Sequence, residues 1–517
     1  MVSMSPSTMR GNRYCWMALI LILALAAYLR CQHLGRYCLW LDELGSIRYA
    51  NGYGGFGSGL QYDTLMLHPP VQAGSRLAGP WWKLGPTLGD DFNPPLYYFV
   101  LRFWRELLGS SDVATKSLSI VASLAGIAML FAVGRRLHGP GPALWACLIM
   151  ALALPQILYA REARSYALLI PLSLACIWAM LRLEERPSPG RCVTLAFFLL
   201  ASMLTHYYAA APLIGLAAYA LIRCRGKTLR WTVGAFIAAA IVFVILWGPI
   251  LWRQFHATVG NNSWTLDTRP HFLSHTLLRL GAWPRLAIDA SPSDTIPCHS
   301  AAAGVLFVIP FLLLRRRPDL LIWALWLAGG VGIVLAADLC RHSLQLQVLR
   351  YTLAAMPGVY MLLGTALWHY KPWVIRLALP LAATAACAIA LTMPEAYGFP
   401  SADWRDLAKF IQAHQKPGDV YVFASLASPP DAAPQAAYFY DGITHYGGPM
   451  PGPTMLLTAA ATPPQIAQIT AAAGPVGEIW LLAGPNLRDP STVLPRFHPD
   501  AQTYNLTAGF AWRGRVP

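Results

Sequence analysis

The sequence predicts a mainly α-helical membrane protein. About eleven transmembrane helices over residues 1–394 are followed by a small extracytoplasmic α/β domain over 395–517. Three observations carry this reading. Apolar runs near the ~20 residues needed to cross a bilayer recur along the chain. Of the 517 residues 56% are hydrophobic and only 12% charged, where soluble domains average about 25% charged. The charge is also unevenly placed. Of 39 Lys/Arg and 24 Asp/Glu, seven and nine fall in 395–517, net −2, leaving 32 and 15 in 1–394, net +17. A basic excess confined to the membrane portion reads as anchoring of cytoplasmic loops, not as nucleic-acid binding.

The first apolar run, from about Trp16 to Leu29, follows Arg10 and Arg13. No small-residue cleavage pattern comes after it, so it reads as an uncleaved first span. A long loop, about 30–115, comes next. It holds Asp42-Glu43, a glycine-rich stretch from Gly52 to Gly59, the pair Trp81-Trp82, and Asp90-Asp91-Phe92-Asn93-Pro94-Pro95-Leu96-Tyr97-Tyr98. Paired tryptophans suit a helix lying in the membrane interface. Two prolines open a helix but do not sit inside one, which predicts a helix over Leu96–Leu108. Further spans are expected at about 116–133, 142–160, 164–182, 193–207, 209–223, 231–252, 301–314, 320–337, 351–369 and 373–392. The clusters Arg135-Arg136, 182–191, 223–230, Arg315-Arg316-Arg317 and 371–376 alternate with loops poorer in basic residues. All fall on the side of Arg10 and Arg13, which is then the cytoplasmic side. The first loop, a second at about 253–300 and the C-terminus lie outside.

Beyond Glu395 the pattern changes. Helices are expected at Asp403–Ile411 and Thr462–Ala473, strands at Val420–Phe423 and Glu478–Ala483, so helices alternate with apolar strands. No glycine fingerprint follows a strand, and nothing argues for a dinucleotide. There is no Cys-x-x-Cys and no zinc spacing. Cys31, Cys38, Cys298 and Cys340 fall near outer segments, but spacing alone fixes no pairing.

Candidate chemistry gathers on the outer face. Asp42-Glu43 sits where a membrane helix meets water, and carboxylates beside a bilayer are costly to desolvate unless they have a partner or a task. A solvated turn is the plain alternative. Tyr159-Ala160-Arg161-Glu162-Ala163-Arg164-Ser165-Tyr166, Thr205-His206-Tyr207-Tyr208 and Leu349-Arg350-Tyr351 each lie at the end of a span. Arginine's planar fork gives phosphate two parallel hydrogen bonds. A local ion pair accounts equally well for Arg161, Glu162 and Arg164, snorkelling for Arg350, and a satisfied interface imidazole better for His206. For Tyr97-Tyr98 an aromatic belt is favoured over a sugar platform. Together, carboxylates and arginines on one face suit a reaction in which a carboxylate activates a hydroxyl and cations stabilise a departing phosphate.

At these residues the chain resembles the polytopic GT-C glycosyltransferases, near the protein O-mannosyltransferase and lipid A aminoarabinose transferase group. The resemblance rests on Asp42-Glu43, Asn93-Pro94-Pro95-Leu96-Tyr97-Tyr98, Arg161 to Tyr166, His206-Tyr207, Arg350-Tyr351 with Pro357, and Asp403-Trp404-Arg405 with Pro417-Gly418-Asp419, in order along nearly the whole chain. One departure is Asn93, where the family often has His or Lys. The resemblance implies a polyprenyl-phosphate sugar as donor and a lipid, glycan or protein hydroxyl as acceptor, outside the cytoplasm at the plasma (inner) membrane. It implies inversion at the anomeric carbon. It carries the base role to Asp42, acceptor or metal orientation to Glu43, phosphate contacts to Arg161, Arg164, Arg350 and His206, and substrate contacts to Asn93, Tyr97 and Tyr351. A divalent metal is compatible with the sequence but not required by it. The competing class is a lipid or sugar-lipid transporter or flippase. Against it stand the absence of a clear internal repeat and the long first loop with its acidic pair.

Overall fold

The computed structural model describes residues 6–70, 78–258, 272–289, 308–392, 403–424, 432–483, 487, 489–500, 504–506 and 509–516. The chain divides into two compact units. One comprises Met1–Leu34, Phe92–Tyr97 and Lys116–Tyr397; the other comprises Gly35–Asp91, Tyr98–Thr115 and Gly398–Pro517. The first loop, which the sequence reading assigns to the membrane portion, thus largely shares a unit with the C-terminal segment.

Elements are numbered in chain order. The helices up to the C-terminal segment are α1 Pro6–Cys31, α2 Leu41–Ala50, α3 Leu84–Thr87, α4 Leu96–Leu108, α5 Asp112–His138, α6 Pro140–Leu152, α7 Leu154–Ala160, α8 Tyr166–Glu185, α9 Pro189–Thr205, α10 Ala210–Arg223, α11 Gly226–Thr258, α12 Phe272–Asp289, α13 Leu321–Arg341, α14 Met356–Thr365 and α15 Trp373–Ala390. Every expected span contains helical residues; of 301–314, residues 301–307 lie outside the described residues and 308–312 are helical. Among the described residues six helical stretches are long and apolar enough to cross a membrane: Arg13–Cys31, α5, α8, Gly226–His256, Pro318–Arg341 and α15. The pair α6 and α7, bent by 61°, makes a seventh if it is one span. The protein is an integral, multi-pass membrane protein; among the described residues length and composition alone account for six or seven spans and leave the eleven expected unconfirmed. Helices α9, α10 and α14 fall short for a visible reason. The backbone breaks at His206, and 3-10 turns at Leu349–Tyr351 and Leu353–Ala355 postpone α14 until Met356.

Close backbone approach sets the packing of α10 on α13. A Cβ placed on Gly215 would lie 2.1 Å from the Leu325 carbonyl oxygen, and one on Gly329 would lie 2.5 Å from that of Ala211. Small residues let membrane helices gain dispersion contact that larger ones would prevent.

The second unit is built on a sheet, with the C-terminal helices α16 Trp404–His414, α17 Ala432–Gly447 and α18 Pro463–Ala473. Its strands are β1 Val420–Ala424, β2 Thr454–Leu457, β3 Ile479–Ala483, β4 His498–Pro499, β5 Tyr504–Leu506 and β6 Gly509–Arg515, in the order β2-β1-β3-β6-β4, with β5 on β6. Strand β1 runs parallel to β2 and β3, and β6 is antiparallel to β3. Alternation splits β1 between two cores: Tyr421 and Phe423 pack with Trp404 and Tyr440, whereas Val420, Val422 and Ala424 pack with Ile469. A parallel strand covered on both faces reads as a continuous apolar run, which is why Val420–Phe423 stood out in the sequence. The first loop joins the sheet edge. Met66 and Thr454 exchange backbone hydrogen bonds of 2.8 Å, and the Asp63 N–H reaches the Leu456 carbonyl at 2.8 Å.

The Pro417-Gly418-Asp419 motif is a structural turn. Gly418 takes φ +89°, a conformation glycine adopts without strain. Buried Asp419 accepts from the backbone of Lys416 (2.9 Å) and Glu478 (2.9 Å) and from the Trp480 indole (2.8 Å), tying the turn to β3.

Candidate active site

Asp42 and Glu43 open α2, and the helix treats them differently. Trp40 is the N-cap, and its backbone N–H donates to Glu43 Oε2 at 3.1 Å. Glu43 therefore caps its own helix, satisfying an N–H that a helix start leaves without an intrahelical acceptor. It is buried, whereas Asp42 is half-buried. Adjacent carboxylates that spacing alone does not rank are separated here: Glu43 serves the fold, and Asp42, to which the resemblance carries the base role, is the more accessible candidate.

The C-terminal segment holds α2 at both ends. Tyr446 on α17 accepts the Leu39 N–H at 2.8 Å and donates to Asp112 at 2.7 Å. The Leu41 backbone reaches the Tyr438 hydroxyl, and burial raises the Tyr438 pKa, with the charges of Asp42 and Glu43 adding to the rise. At the other end Arg48 donates to Asp441 at 2.7 Å and to the carbonyls of Gly54 (3.3 Å) and Gly55 (2.7 Å). The Arg48–Asp441 pair is fully buried. A buried ion pair is a weak source of net stability, but it fixes geometry because breaking it leaves a charge uncompensated. Burial outweighs the attraction of Arg48 and raises Asp441 to about 6. None of Tyr438, Asp441, Tyr446 or Asp112 was singled out by the sequence. Tyr438, Asp441 and Tyr446 lie on α17, a helix the sequence reading did not expect, and Asp112 opens α5.

In the first unit the remaining candidates cluster at helix breaks. Ala153 and Pro155 end α6 and start α7, which stops at Arg161. Proline lacks an N–H, and a run broken there can turn its carbonyls outward. Arg161 donates to the Leu29 carbonyl, and its neighbour in charge is Arg30, itself bonded to Ser123 (2.9 Å) and to the carbonyls of Ala151 (3.0 Å) and Met150 (3.3 Å). Arg164 donates to the Tyr166 hydroxyl at 3.4 Å. The Tyr166 ring lies 5.1 Å from that of His206, which lies 5.5 Å from Tyr208; Tyr208 stacks on Tyr351 at 4.6 Å. His206 sits at the turn between α9 and α10. Burial, then the positive charges of Arg164 and Arg350, lowers its pKa to about 3. The imidazole is therefore neutral, with Nδ1 facing the Tyr208 N–H at 3.1 Å. The structure thus brings together Arg164, Arg350, His206 and Tyr351, with Glu162 buried beside Tyr159. The sequence reading missed Asp338. It is fully buried on α13 and accepts from Ser343 Oγ (2.6 Å) and from the N–H groups of Gln345 (2.8 Å) and Leu346 (2.8 Å), fixing the turns that lead to Arg350.

The carbonyl of Asn93 accepts from Gln254 at 3.2 Å; Gln254 also bonds Tyr207, whose hydroxyl accepts from Trp247 at 2.8 Å. Asn93 is thereby linked to the His206 turn through backbone, not side chain. The aromatic-belt reading of Tyr97-Tyr98 is corrected: both rings are buried, at 1% and 2% exposure, and Tyr98 donates to Asp91 and packs 5.6 Å from Tyr49. The expected interfacial helix at Trp81-Trp82 is a 3-10 turn, Trp81–Lys83, running into the short α3, with Trp82 exposed. Cys31, Cys38 and Cys340 are free thiols, and Cys298 lies outside the described residues. Among the described residues no group of three His, Cys, Asp or Glu is placed to hold a metal ion.

A family model for dolichyl-phosphate-mannose-protein mannosyltransferases matches residues 93–252, the stretch with the prolines, the Arg161–Arg164 turn and His206. No curated protein matches by sequence. Solved structures do match. ArnT of Cupriavidus metallidurans in its apo state superposes with a TM-score of 0.60 at 14% identity, over 98% of this chain and 99% of that one. The same protein bound to undecaprenyl phosphate gives 0.59 at 13%, over 96% and 97%. The fold is that of the GT-C glycosyltransferases. The oligosaccharyltransferase of Archaeoglobus fulgidus, with a TM-score of 0.51 at 10% identity over 96% of this chain and 72% of that one, shares it.

Proposed function

We propose that this protein is a membrane glycosyltransferase that moves a sugar from a polyprenyl phosphate to a hydroxyl on a lipid, glycan or protein, with inversion, outside the cytoplasm. The observation that carries the reading is the end-to-end likeness to ArnT, one of whose structures holds undecaprenyl phosphate. The arginine cluster agrees with a phosphate-bearing donor, since two guanidinium forks beside a neutral imidazole suit a phosphate better than a neutral sugar.

In the proposed reaction the acceptor oxygen attacks the anomeric carbon. The new carbon–oxygen bond forms as the bond to the phosphate oxygen breaks. Asp42 takes the acceptor proton, because an alcohol is a poor nucleophile until that proton leaves in the transition state. Arg164 and Arg350 bear the charge that grows on the departing polyprenyl phosphate, with Arg161 and His206 in support. Asn93, Tyr97 and Tyr351 shape the substrate sites. Glu43 acts through α2, holding the helix start that presents Asp42.

The test is transfer by the purified full-length protein from a panel of labelled polyprenyl-phosphate sugars. Transfer from at least one donor, with loss of turnover in Asp42→Asn, is expected. Translocation of the lipid-linked sugar with no transfer from any donor would return the protein to the transporter class.

A further inference from the structure

Arg30, in the last turn of α1, is completely buried and has no part in the reaction proposed above. A buried cation is costly to desolvate, so its contacts report its task. Its guanidinium donates to Ser123 Oγ on α5 (2.9 Å) and to the carbonyls of Ala26 (3.2 Å), Ala151 (3.0 Å) and Met150 (3.3 Å). The last two belong to the end of α6. In an unbroken helix the Ala151 carbonyl would accept from the N–H of residue 155, but that residue is a proline and has none. Arg30 therefore supplies the donor that Pro155 lacks, at a helix C-terminus where positive charge is favoured.

A second arginine makes the return contact. Arg161, at the end of α7, donates to the carbonyl of Leu29 in the last turn of α1, where a helix end leaves carbonyls without intrahelical donors. The short α7 is thus tied to the end of α1 at both of its ends. It leads directly into the turn that carries Arg164, and the hydroxyl of its Tyr159 meets the Arg350 backbone. Both arginines assigned to the leaving phosphate therefore depend on where α7 sits. We infer that Arg30 is a positioning residue for the donor phosphate, holding the Pro155 break so that α7 presents Arg164 and Arg350 to one anion. This rests on the transferase reading above, and the moiety concerned is the polyprenyl monophosphate of the donor.

The test measures two quantities on the full-length protein in one detergent: affinity for a labelled polyprenyl monophosphate, and melting temperature. Arg30→Met removes the donors while nearly keeping the volume, and should weaken binding about tenfold or more. Arg30→Lys keeps the charge but cannot reach Ser123, Met150 and Ala151 together, and should weaken binding about threefold. It takes the place of Arg30→Met below if that variant does not fold. Two double-mutant cycles separate positioning from a general structural role. Arg164→Ala should cost less affinity in the Arg30→Met background than in wild type, because the turn has already moved. Pro155→Ala returns an N–H to the Ala151 carbonyl, so Pro155→Ala and Arg30→Met together should lower the melting temperature by less than the sum of their separate losses. Wild-type affinity in folded Arg30→Met and Arg30→Lys, or full additivity in either cycle, would overturn this inference and leave the transferase reading standing. A wild type that neither binds the polyprenyl phosphate nor transfers from it would overturn both.

Discussion

The helix that carries Asp42 and the turns that carry Arg164 and Arg350 lie in different compact units and are held by different means. Helix α2 takes its anchors from about 400 residues further along: Tyr446 on Leu39, Asp441 on Arg48, Tyr438 on Leu41. These anchors stand on a helix that packs against the parallel strands of a mixed sheet. Around the arginines short-range contacts stand beside long-range ones: Arg164 donates to Tyr166 and Asp338 fixes the approach to Arg350 through Gln345 and Leu346, while Ser119 reaches the Arg164 carbonyl and Tyr159 the Arg350 backbone. The contrast follows from what each group would do. A base must meet one proton along one line, and small displacement costs rate steeply. A guanidinium clamp on a diffuse phosphate charge tolerates more movement, and short turns at helix breaks suffice.

The largest effect expected from this contrast is at Asp42. Asp42→Asn keeps the shape of the side chain but removes its basicity, and should lower kcat by at least about 100-fold while donor binding stays near wild type. Glu43→Gln should instead appear in stability, since weakening a helix cap costs about 0.5–2 kcal/mol, with a smaller loss of turnover. Transfer rate and donor affinity measured on the same purified variants separate the two. A larger kcat loss in Glu43→Gln than in Asp42→Asn would reverse the assignment of base and cap.

Next in size is the arginine cluster. Arg350→Ala and Arg164→Ala should each raise the apparent KM for donor about tenfold or more, from roughly 1.5–3 kcal/mol of lost charged hydrogen bonding. The Lys variants should recover part of this, because charge remains while the fork is lost. Arg161, bonded to the Leu29 carbonyl, should show a smaller donor effect and a larger stability effect. Unchanged donor dependence in a folded Arg350→Ala would reduce that residue to a membrane anchor.

Tyr446→Phe sharpens the contrast from the other side. It removes a hydroxyl that accepts from Leu39 and donates to Asp112, leaving both partners short of one bond, at a cost of about 1–3 kcal/mol. If α17 positions the base, kcat falls severalfold while donor KM stays constant. A rise in donor KM with kcat preserved would show that the C-terminal segment acts on the donor instead.

Legibility in the sequence tracks the range of the contacts involved. Strands β1 and β3, α4 and the turn at Gly418 were readable because local chemistry sets them: continuous apolar runs, two prolines ahead of a helix, a glycine where φ is positive. The span count is left unconfirmed where the backbone breaks, as at His206, and where short 3-10 turns precede α14, because each break leaves a helix too short to be counted by length alone. In the candidate site, the arginines and histidine were visible as charges at span ends in a chain with few charges. That Glu43 rather than Asp42 caps the helix was not, since it depends on which carboxylate turns back to Trp40. Helix α17 and its anchors were not readable either. Nothing near Asp441 in sequence reports that its partner is Arg48.

The smallest expected effect concerns that same pair. Asp441 titrates near 6 in the folded protein, above the usual value for an aspartate of about 3.9. A carboxyl whose folded pKa exceeds its unfolded one binds its proton more tightly when folded. Its contribution to stability is therefore fully present below about pH 4 and is lost as pH rises through about 6. Asn at this position is close in shape to the protonated acid and does not titrate. The apparent melting temperature of wild type should accordingly fall, relative to Asp441→Asn, as pH rises from 4.5 to 7.5, by a few degrees at most. Both proteins would be followed in the same detergent, and only the difference between them read, since other carboxylates titrate over part of that range in each. A constant difference would mean that Arg48 fully compensates the buried charge, and α2 would then be clamped with equal firmness at every pH in the range. A wild-type melting temperature that falls below that of Asp441→Asn toward high pH, accompanied by a parallel change in kcat but not in donor KM, would tie the ionisation of Asp441 to the placement of Asp42.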